Sequence, residues 1–185
     1  GMEMPEQGEN EGYRRRRERL LALNKDAARF FHEKLRAPEG RAGAEYLFRK
    51  RGLSQGVVTR FGLGTAPEGW DNLIQAMGEK GYTKRELLDA GLAVDNKKGR
   101  IYDRFRNRVM FPIIDLRGEV IGFGGRVLDD STPKYLNSPD TVIYNKSRNL
   151  FALNIAKKSK QGRIILTEGY MDTLSLHQAG FDCAV

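Results

Sequence analysis

The stretch Val109-Met-Phe-Pro-Ile-Ile-Asp-Leu-Arg-Gly-Glu-Val-Ile-Gly-Phe-Gly-Gly-Arg126 sets the fold of this chain. It contains two apolar runs, residues 109–114 and 119–126, and the four residues between them, 115–118, are typical of a tight turn. β-Branched and aromatic residues are common in both runs, so the stretch predicts an antiparallel hairpin. Glycine within a strand permits a bulge or the close approach of another backbone, and the second run contains Gly122, Gly124 and Gly125.

Helical patterns precede this hairpin. Apolar residues recur at helical spacing from about Arg14 to Arg36, which predicts a long amphipathic helix. Cap and stop residues predict shorter helices at 44–50, 54–59, 71–80 and 83–90, the last with a capping box of Thr83 and Glu86. A short extended segment is predicted at 61–65. Residues 1–12 are polar, and we expect them to be disordered.

A different pattern closes the chain. Residues 129–139 are predicted as a loop and about 150–158 as a helix. The apolar run 163–167 then leads directly into Glu168-Gly-Tyr-Met-Asp172, and a helix follows to about 178. Strand, turn and helix in this order are typical of an α/β unit with a parallel sheet. We therefore predict an α+β fold over residues 13–160, with mixed helices and antiparallel strands, followed by the first βα unit of an α/β domain over residues 161–185.

Composition excludes several classes of protein. The 185 residues include 30% charged residues, and the sequence contains neither an apolar run of membrane-spanning length nor a signal-peptide pattern. Its one cysteine, Cys183, excludes an internal disulfide, and the histidines His32 and His177 lie far apart. A structural zinc site of the usual four-ligand kind is therefore not encoded. We expect a soluble, cytoplasmic protein without a membrane partner.

The charge is distributed unevenly along the chain. The net charge is +8, and residues 100–163 contain 13 Lys and Arg against 6 Asp and Glu, whereas residues 164–185 contain 3 acidic residues and none that is basic. A basic region beside an acidic one favours a groove for a polyanion next to a cation site. The alternative is ordinary solvated surface, which is the better interpretation of the basic residues near the amino end.

Glu168 and Asp172 are the candidate catalytic and metal-binding residues. Glu168 follows an apolar strand, and ligands of open α/β sheets bind at the carboxyl ends of strands. Asp172 falls in the first turn of the next helix, where the helix dipole stabilises a carboxylate. Metal-assisted chemistry on phosphates is one interpretation of this pair. A helix cap and a surface carboxylate are the simpler alternative.

Basic and aromatic residues upstream are candidates for binding phosphates and bases. Arg104, Arg106 and Arg108 share one parity, which on a strand would give a basic face over an apolar one. An exposed edge kept soluble by its charge is the alternative. Lys134, Tyr135 and Asn137 combine a cation, a ring and an amide in one proline-bounded loop, a set that suits a nucleotide but also an ordinary surface turn. Trp70 is interpreted as a domain anchor.

Taken together, the segments resemble the bacterial replicative DNA primases (DnaG-type), in their RNA polymerase core. The motifs that carry the resemblance occur in the order of that family and cover nearly everything from about residue 25 onward. They are Arg60-Phe-Gly-Leu-Gly-Thr-Ala-Pro-Glu-Gly-Trp-Asp71, Tyr102-Asp-Arg-Phe-Arg-Asn-Arg-Val-Met-Phe-Pro-Ile113, Ile121-Gly-Phe-Gly-Gly-Arg126, Thr132-Pro-Lys-Tyr-Leu-Asn-Ser-Pro139 and Glu168-Gly-Tyr-Met-Asp172.

The resemblance implies an enzyme that copies single-stranded DNA into short RNA primers during replication, by metal-dependent transfer of nucleotides. Residues 13–160 would be the N-terminal subdomain of its core and 161–185 the start of its Toprim domain. Glu168 would serve a Mg²⁺ or Mn²⁺ site or act as general base, supported by Asp172. The residues implied to bind nucleotide and template are Arg60, Arg104, Arg106, Arg126, Lys134, Tyr135, Asn137 and Lys146.

The resemblance also implies the molecules that the complete protein binds. These are single-stranded DNA, ribonucleoside triphosphates and, through regions outside this sequence, the replicative helicase. We expect the zinc-ribbon module of the family to lie outside this sequence, which has one cysteine, and the acidic strands that complete the Toprim metal site to lie beyond Val185. We therefore expect the 185-residue chain alone to be inactive. Another Toprim protein, a nuclease or a topoisomerase-like enzyme from a mobile element, and a non-catalytic nucleic-acid-binding module are the alternatives.

Overall fold

The predicted hairpin forms the middle of a four-stranded antiparallel sheet. The computed structural model describes residues 7–96 and 98–185. Its strands, in chain order, are β1 (Gly64–Ala66), β2 (Ala93–Asn96), β3 (Arg100–Asp103), β4 (Arg108–Ile114), β5 (Val120–Val127) and β6 (Tyr135–Asn137). The main sheet has the order β1-β4-β5-β6, and β2 and β3 pair in a separate ribbon. All pairs of these strands are antiparallel, which confirms the predicted α+β class.

Seven α-helices surround the sheet in the described part of the chain. They are α1 (Gln7–Lys34), α2 (Arg41–Glu45), α3 (Gln55–Arg60), α4 (Asn72–Glu79), α5 (Lys84–Asp89), α6 (Leu153–Ala156) and α7 (Tyr170–Gln178). A π-helical turn, Tyr46–Lys50, continues α2, and 3₁₀ turns occupy Pro38–Gly40 and Lys146–Arg148. The predicted caps are confirmed: the Ser54 side chain accepts from the Val57 amide, and Thr83 and Glu86 form the capping box.

Helix α1 is longer than predicted and is held against α5 by its arginines. It begins at Gln7, so residues 7–12 are helical, and the rest of the predicted disordered tail, residues 1–6, lies outside the described residues. Arg16 contacts Asp89 at 3.0 Å and Arg19 contacts the capping residue Glu86 at 2.7 Å. The apolar side of the helix packs on the sheet, with Phe31 edge-to-face against Phe123 of β5 at 5.6 Å.

Strand β4 is buried on both faces, so the predicted basic face over an apolar one is wrong. One face joins the core cluster of α1, α4 and α5 through Met110, while Val109 and Phe111 join a second cluster with Leu63. The chain turns before the strand, at Asn107, whose φ is 48°. Arg104 and Arg106 therefore precede the strand, and Arg108, the first strand residue, is only 6% exposed.

The C-terminal segment is attached to the same core. Met171 and Leu174 of α7 belong to the second cluster. The predicted strand 163–167 is reduced to one parallel bridge, Ile165 to Ala184, in which the Ile165 amide donates to the Cys183 carbonyl at 3.0 Å and the Val185 amide to the Ile165 carbonyl at 2.9 Å. A parallel pair at this point agrees with the predicted kind of unit. The described helices include none that is both long and apolar enough to cross a membrane.

Two elements were not predicted. The β2–β3 ribbon falls in a polar stretch in which apolar and polar residues do not clearly alternate. It is defined by four residue pairs, the first of which joins Ala93 to Asp103. Strand β6 lies in the segment predicted as a loop. It is three residues long, and its identity as a strand depends on pairing with residues 124–126 of β5, because a short segment beside prolines has little strand propensity of its own.

Candidate functional site

Four of the predicted site residues line one open pocket. This pocket, with a volume of about 520 Å³, lies between β6 and the amino end of α7, and its lining includes Tyr135, Asn137, Glu168 and Asp172. Both carboxylates are exposed. The predicted loop and the predicted strand end therefore meet at one place, although Asn137 and Thr167 are 30 positions apart in the sequence.

The carboxylates supply only part of a metal site. Mg²⁺ and Mn²⁺ prefer oxygen ligands and take six of them. Within residues 7–96 and 98–185, no group of three or more acidic, histidine or cysteine side chains is placed to hold a metal ion. Glu168 and Asp172 have the right ligand chemistry but do not form a site by themselves.

The pocket wall behind these carboxylates is built by Tyr170. Its ring stacks on Phe111 with centroids 4.8 Å apart and planes 7° from parallel, and its hydroxyl donates to Oδ1 of Asn137 at 2.7 Å. Burial raises the pKa of the Tyr170 hydroxyl above its ordinary value, so the group is protonated and can donate. The ring covers Gly124, where an added Cβ would lie 2.5 Å from the tyrosine Cζ.

The glycines of β5 thus have a different role from the one predicted. The sequence indicated a bulge or the approach of another backbone, but tyrosine rings lie over two of these positions. Tyr170 covers Gly124, and a Cβ on Gly122 would lie 3.1 Å from the ring of Tyr144. Both rings come from segments that follow β5 in the chain, so this side of the strand must be flat for the rings to pack on it.

A second pocket collects the arginines. It has a volume of about 430 Å³, and its lining includes Trp70, Arg104, Arg106, Arg108 and Thr132. Arg104 extends from here to the first pocket, because its Nη2 donates to the backbone carbonyl of Asn137 at 3.1 Å. Burial lowers the pKa of Arg104 below its ordinary value, but an arginine remains charged at physiological pH.

Arg108 acts as a structural residue in this pocket. Its guanidinium donates to the carbonyls of Pro133 at 2.9 Å and of Lys134 and Gly125 at 3.3 Å each. These bonds tie the 132–134 segment to the edge of β5. Arg106 lies more openly, with its guanidinium carbon 4.1 Å from the Trp70 ring centroid.

Trp70, interpreted from the sequence as a domain anchor, lies at the surface. Its side chain is 52% exposed, and it packs edge-to-face on Tyr102 at 5.3 Å. The arginines at 100 and 106 lie over its ring, at 5.5 Å and 4.1 Å from the centroid. An exposed indole among cations presents a surface on which a base can stack. The sequence signal for this exposure is Pro67-Glu-Gly69, a turn-like segment that follows the last residue of β1 and places Trp70 outside the strand.

Asp103 holds the backbone on which Trp70 is mounted. Its carboxylate is buried and accepts from the amides of Leu73 at 2.7 Å and Ile74 at 3.0 Å, at the start of α4. Its own amide donates to the Trp70 carbonyl at 2.7 Å. Burial raises the pKa of Asp103 to about 6, although the two amide hydrogen bonds act in the opposite direction.

Arg126 belongs to a third group of cations and rings. Its guanidinium carbon lies 4.6 Å from the Tyr46 centroid and 6.0 Å from that of Tyr135. Arg51 lies over the same Tyr46 ring at 5.2 Å and donates its Nε–H to the tyrosine hydroxyl at 2.7 Å. Sequence reasoning missed Tyr46 and Arg51, because the π-helical turn that brings them together has no recognisable sequence pattern.

Three further predicted residues, like Arg126, lie outside the two pockets. Arg60 ends α3 and lines a separate small cavity beside Phe61 and Pro112, so the structure does not bring it to the others. Lys134 and Lys146 are exposed. Lys134 follows the segment that Arg108 holds, and Lys146 begins the 3₁₀ turn before α6. Both lysines belong to the basic region of the sequence, residues 100–163.

The fold and the pockets define a class: an α+β domain that places a pair of carboxylates beside arginines and exposed rings, as proteins that handle nucleic acids and nucleotides do. The family model described as the DNA primase catalytic core, N-terminal domain, matches residues 30–157. The chain belongs to the bacterial DNA primase family, in the N-terminal part of its catalytic core. The alternative of another Toprim protein, a nuclease or a topoisomerase-like enzyme, is not favoured.

Relatives and solved structures agree on this family. The chain is 51% identical over 169 residues to the DNA primase of Clostridium acetobutylicum, covering 91% of this chain and 28% of the relative. It is 47% identical over 174 residues to that of Escherichia coli K12, covering 93% of this chain and 30% of the relative. The chain therefore spans less than a third of the length of these relatives.

Among solved structures, the DnaG primase catalytic domain bound to single-stranded DNA has a TM-score of 0.85 and 46% identity to this chain, covering 92% of this chain and 55% of that one. The Aquifex aeolicus primase, a structure of the zinc-binding and RNA polymerase domains, has a TM-score of 0.81 and 35% identity, covering 91% of this chain and 41% of that one.

Proposed function

We propose that this chain forms the template- and nucleotide-facing part of an enzyme that synthesises RNA primers on single-stranded DNA during replication. The observation that carries the proposal is the arrangement of two adjoining pockets. One contains Glu168, Asp172, Tyr135 and Asn137, the other contains Arg104 and Arg106, and Arg104 joins them through the Asn137 carbonyl. Cations and rings of this kind suit a strand of phosphates and bases.

The reaction proposed is nucleotidyl transfer. A primer 3′-hydroxyl attacks the α-phosphorus of a ribonucleoside triphosphate, and pyrophosphate leaves. Arg104 and Arg106 hold phosphates of the template, while Arg126, Lys134 and Lys146 neutralise the triphosphate. In the complete enzyme Glu168 and Asp172 would hold part of a Mg²⁺ or Mn²⁺ site, which would supply neutralisation of the charge that develops on the phosphate. These two side chains do not hold the metal alone. In its alternative role, Glu168 would be the general base that takes the proton of the 3′-hydroxyl.

The proposal extends to the rest of the protein. Residues 161–185 begin a Toprim domain, for which the parallel bridge at Ile165 and the exposed Glu168 provide support. Single-stranded DNA is the template partner, and the solved primase domain that resembles this chain was captured with such a strand. Ribonucleoside triphosphates are the substrates, the replicative helicase binds outside these residues, and the enzyme works in the cytoplasm. Zinc belongs to a separate module.

The test uses Lys134→Ala in a full-length primase that carries this sequence. Primer synthesis on a single-stranded template should fall by at least about tenfold, because the ammonium no longer neutralises phosphate in the transition state. Lys84→Ala, in the first turn of α5, is the matched control and should be unaffected. Normal synthesis by the Lys134→Ala enzyme, with a normal fold by circular dichroism, would refute the assignment.

The chain of 185 residues gives a second, independent test. It should incorporate no ribonucleotide in the presence of Mg²⁺ or Mn²⁺, since its described residues provide only two carboxylates in the pocket. Measurable metal-dependent incorporation of ribonucleotides by the purified chain would contradict the proposal that the remaining metal ligands lie outside these 185 residues.

A further inference from the structure

The hydroxyl of Tyr170 connects the turn that bears Glu168 to the edge strand of the main sheet. Tyr170 begins α7, two residues after Glu168, and its hydroxyl donates to Oδ1 of Asn137 on β6 at 2.7 Å. The backbone carbonyl of the same asparagine accepts from Arg104 at 3.1 Å. Asn137 is therefore held at two points, once by a residue of each pocket.

The ring that carries this hydroxyl has little freedom to move. It stacks on Phe111 at 4.8 Å and packs edge-to-face against Phe151 at 4.9 Å. Its other boundary is the flat backbone at Gly124, with no room for a Cβ. Gly124 is also the direct pairing partner of Asn137 in the sheet. The ring and the asparagine thus lie on one face of adjacent strands, and the hydroxyl has a fixed position.

The contact orients the amide of Asn137. An amide has one acceptor end and one donor end, and a partner that donates to Oδ1 turns Nδ2 away from itself. No described residue accepts a hydrogen bond from this Nδ2, and the side chain lines the pocket that contains Glu168. The donor end of the amide is therefore available to a bound molecule.

We propose that Tyr170 is a positioning residue: its hydroxyl fixes the Asn137 amide so that Nδ2 donates to an acceptor oxygen of the bound nucleic acid. The inference rests on the proposed function, because it requires a strand in the pocket. The oxygen belongs either to a phosphate or to a base carbonyl. Because the Asn137 amide is already oriented, binding does not have to supply the free energy of ordering it. The Tyr170 hydroxyl also fixes the distance between this amide and the turn that bears Glu168.

The test compares Tyr170→Phe with the unchanged chain in fluorescence anisotropy with a short oligothymidylate. The substitution retains the stacked ring and removes only the hydroxyl, so affinity should fall about three- to tenfold. In an Asn137→Ala background the same substitution should change affinity less than about twofold, because the group that it positions is absent. Equal losses in both backgrounds would overturn the proposal.

Two further arms identify the acceptor and the mechanism. With an abasic strand, a persisting effect of Tyr170→Phe assigns the oxygen to phosphate, and its disappearance assigns it to a base. Without DNA, the residual dipolar couplings of the Asn137 Nδ2 group should fall towards zero in Tyr170→Phe, as the released amide averages its orientation. Unchanged couplings would contradict the positioning role even where affinity falls.

Failure of the inference differs from failure of the proposed function. An unchanged chain that binds no DNA at low salt contradicts the proposed function, and the inference falls with it. Strong DNA binding that is unaffected by Tyr170→Phe overturns the inference alone.

Discussion

Arg126 lies over the ring of Tyr46, with its guanidinium carbon 4.6 Å from the ring centroid. Arg51 approaches the same ring at 5.2 Å and also donates to its hydroxyl. With the Lys50 ammonium at 6.0 Å, three cations share the Tyr46 ring. The guanidinium carbon of Arg126 also lies 6.0 Å from the Tyr135 ring centroid. Such stacking holds positive charge in place without neutralising it, which suits a site for phosphates.

Arg126→Lys should therefore weaken binding although it preserves charge. An ammonium neither stacks over a ring as a plane nor donates to a phosphate in bidentate fashion. We expect affinity for a short single-stranded DNA to fall about three- to tenfold, measured by anisotropy at fixed salt. Arg15→Lys on α1, where the arginine side chain is 76% exposed, is the control. Equal affinities for the two variants would contradict a specific role for the stacked guanidinium.

Gly124→Ala tests the close approach of the Tyr170 ring. The added methyl would lie 2.5 Å from the ring, so the ring or the strand must shift. We expect the free energy of unfolding to fall by about 1–3 kcal/mol, the usual cost of overpacking, as measured by urea denaturation. Gly78→Ala in α4, where nothing lies within 4 Å of the added Cβ, should be neutral or stabilising. Similar stability of both variants would be incompatible with the described packing.

The attachment of α7 to the core predicts that residues 170–178 unfold with the rest of the chain. Leu174 is fully buried in the second cluster, whereas Leu166 is 74% exposed. Leu174→Ala should lower the free energy of unfolding by about 2–5 kcal/mol, and Leu166→Ala should change it by less than about 0.5 kcal/mol. Chemical denaturation monitored by Trp70 fluorescence gives both values. A Leu174→Ala chain as stable as the Leu166→Ala chain would show that α7 is not part of this core.

Asp103 predicts a specific dependence of stability on pH. Its pKa is raised to about 6 by burial, so the folded chain retains this proton to a higher pH than the unfolded chain does. Its contribution is therefore largest below about pH 4 and is lost as the pH rises through about 6. Asp103→Asn should remove this decline, which amounts to at most about 3 kcal/mol. The measurement is the difference in unfolding free energy between the two chains from pH 4 to pH 7. A difference that does not vary with pH would contradict the raised pKa.

Local signals in the sequence predicted much of the fold. The hairpin of β4 and β5, the long helix α1 and the caps at Ser54 and Thr83 follow from periodicity, turn residues and side-chain chemistry within a few residues. Elements defined by pairing were missed. Strand β6 depends on β5 for its hydrogen bonds. Strand β4 is apolar on both sides because α1, α4 and α5 cover one of its faces and α7 covers the other.

The candidate site was predicted by residue type more successfully than by position. Tyr135, Asn137, Glu168 and Asp172 do line one pocket, but Arg60 lies in a separate cavity. The arginines at 104, 106 and 108 do line one pocket, but they do not form one face of a strand, because the turn at Asn107 ends the alternation. Tyr46 and Trp70 were missed as site residues, since their contacts with Arg126 and Arg106 join segments far apart in sequence. Arg51 was missed because only the π-helical turn brings it onto the Tyr46 ring.

The central claim is that a single strand of DNA binds across the two pockets. The most direct measurement is the anisotropy of a labelled single-stranded oligonucleotide, titrated with the chain at several salt concentrations, for the unchanged protein, Arg104→Ala and the surface control Arg14→Ala. We predict binding that weakens steeply with salt, and a plot of log affinity against log salt that is shallower by about 0.7 for Arg104→Ala than for the control. No binding at low salt, or equal affinity and slope for the two variants, would contradict the account.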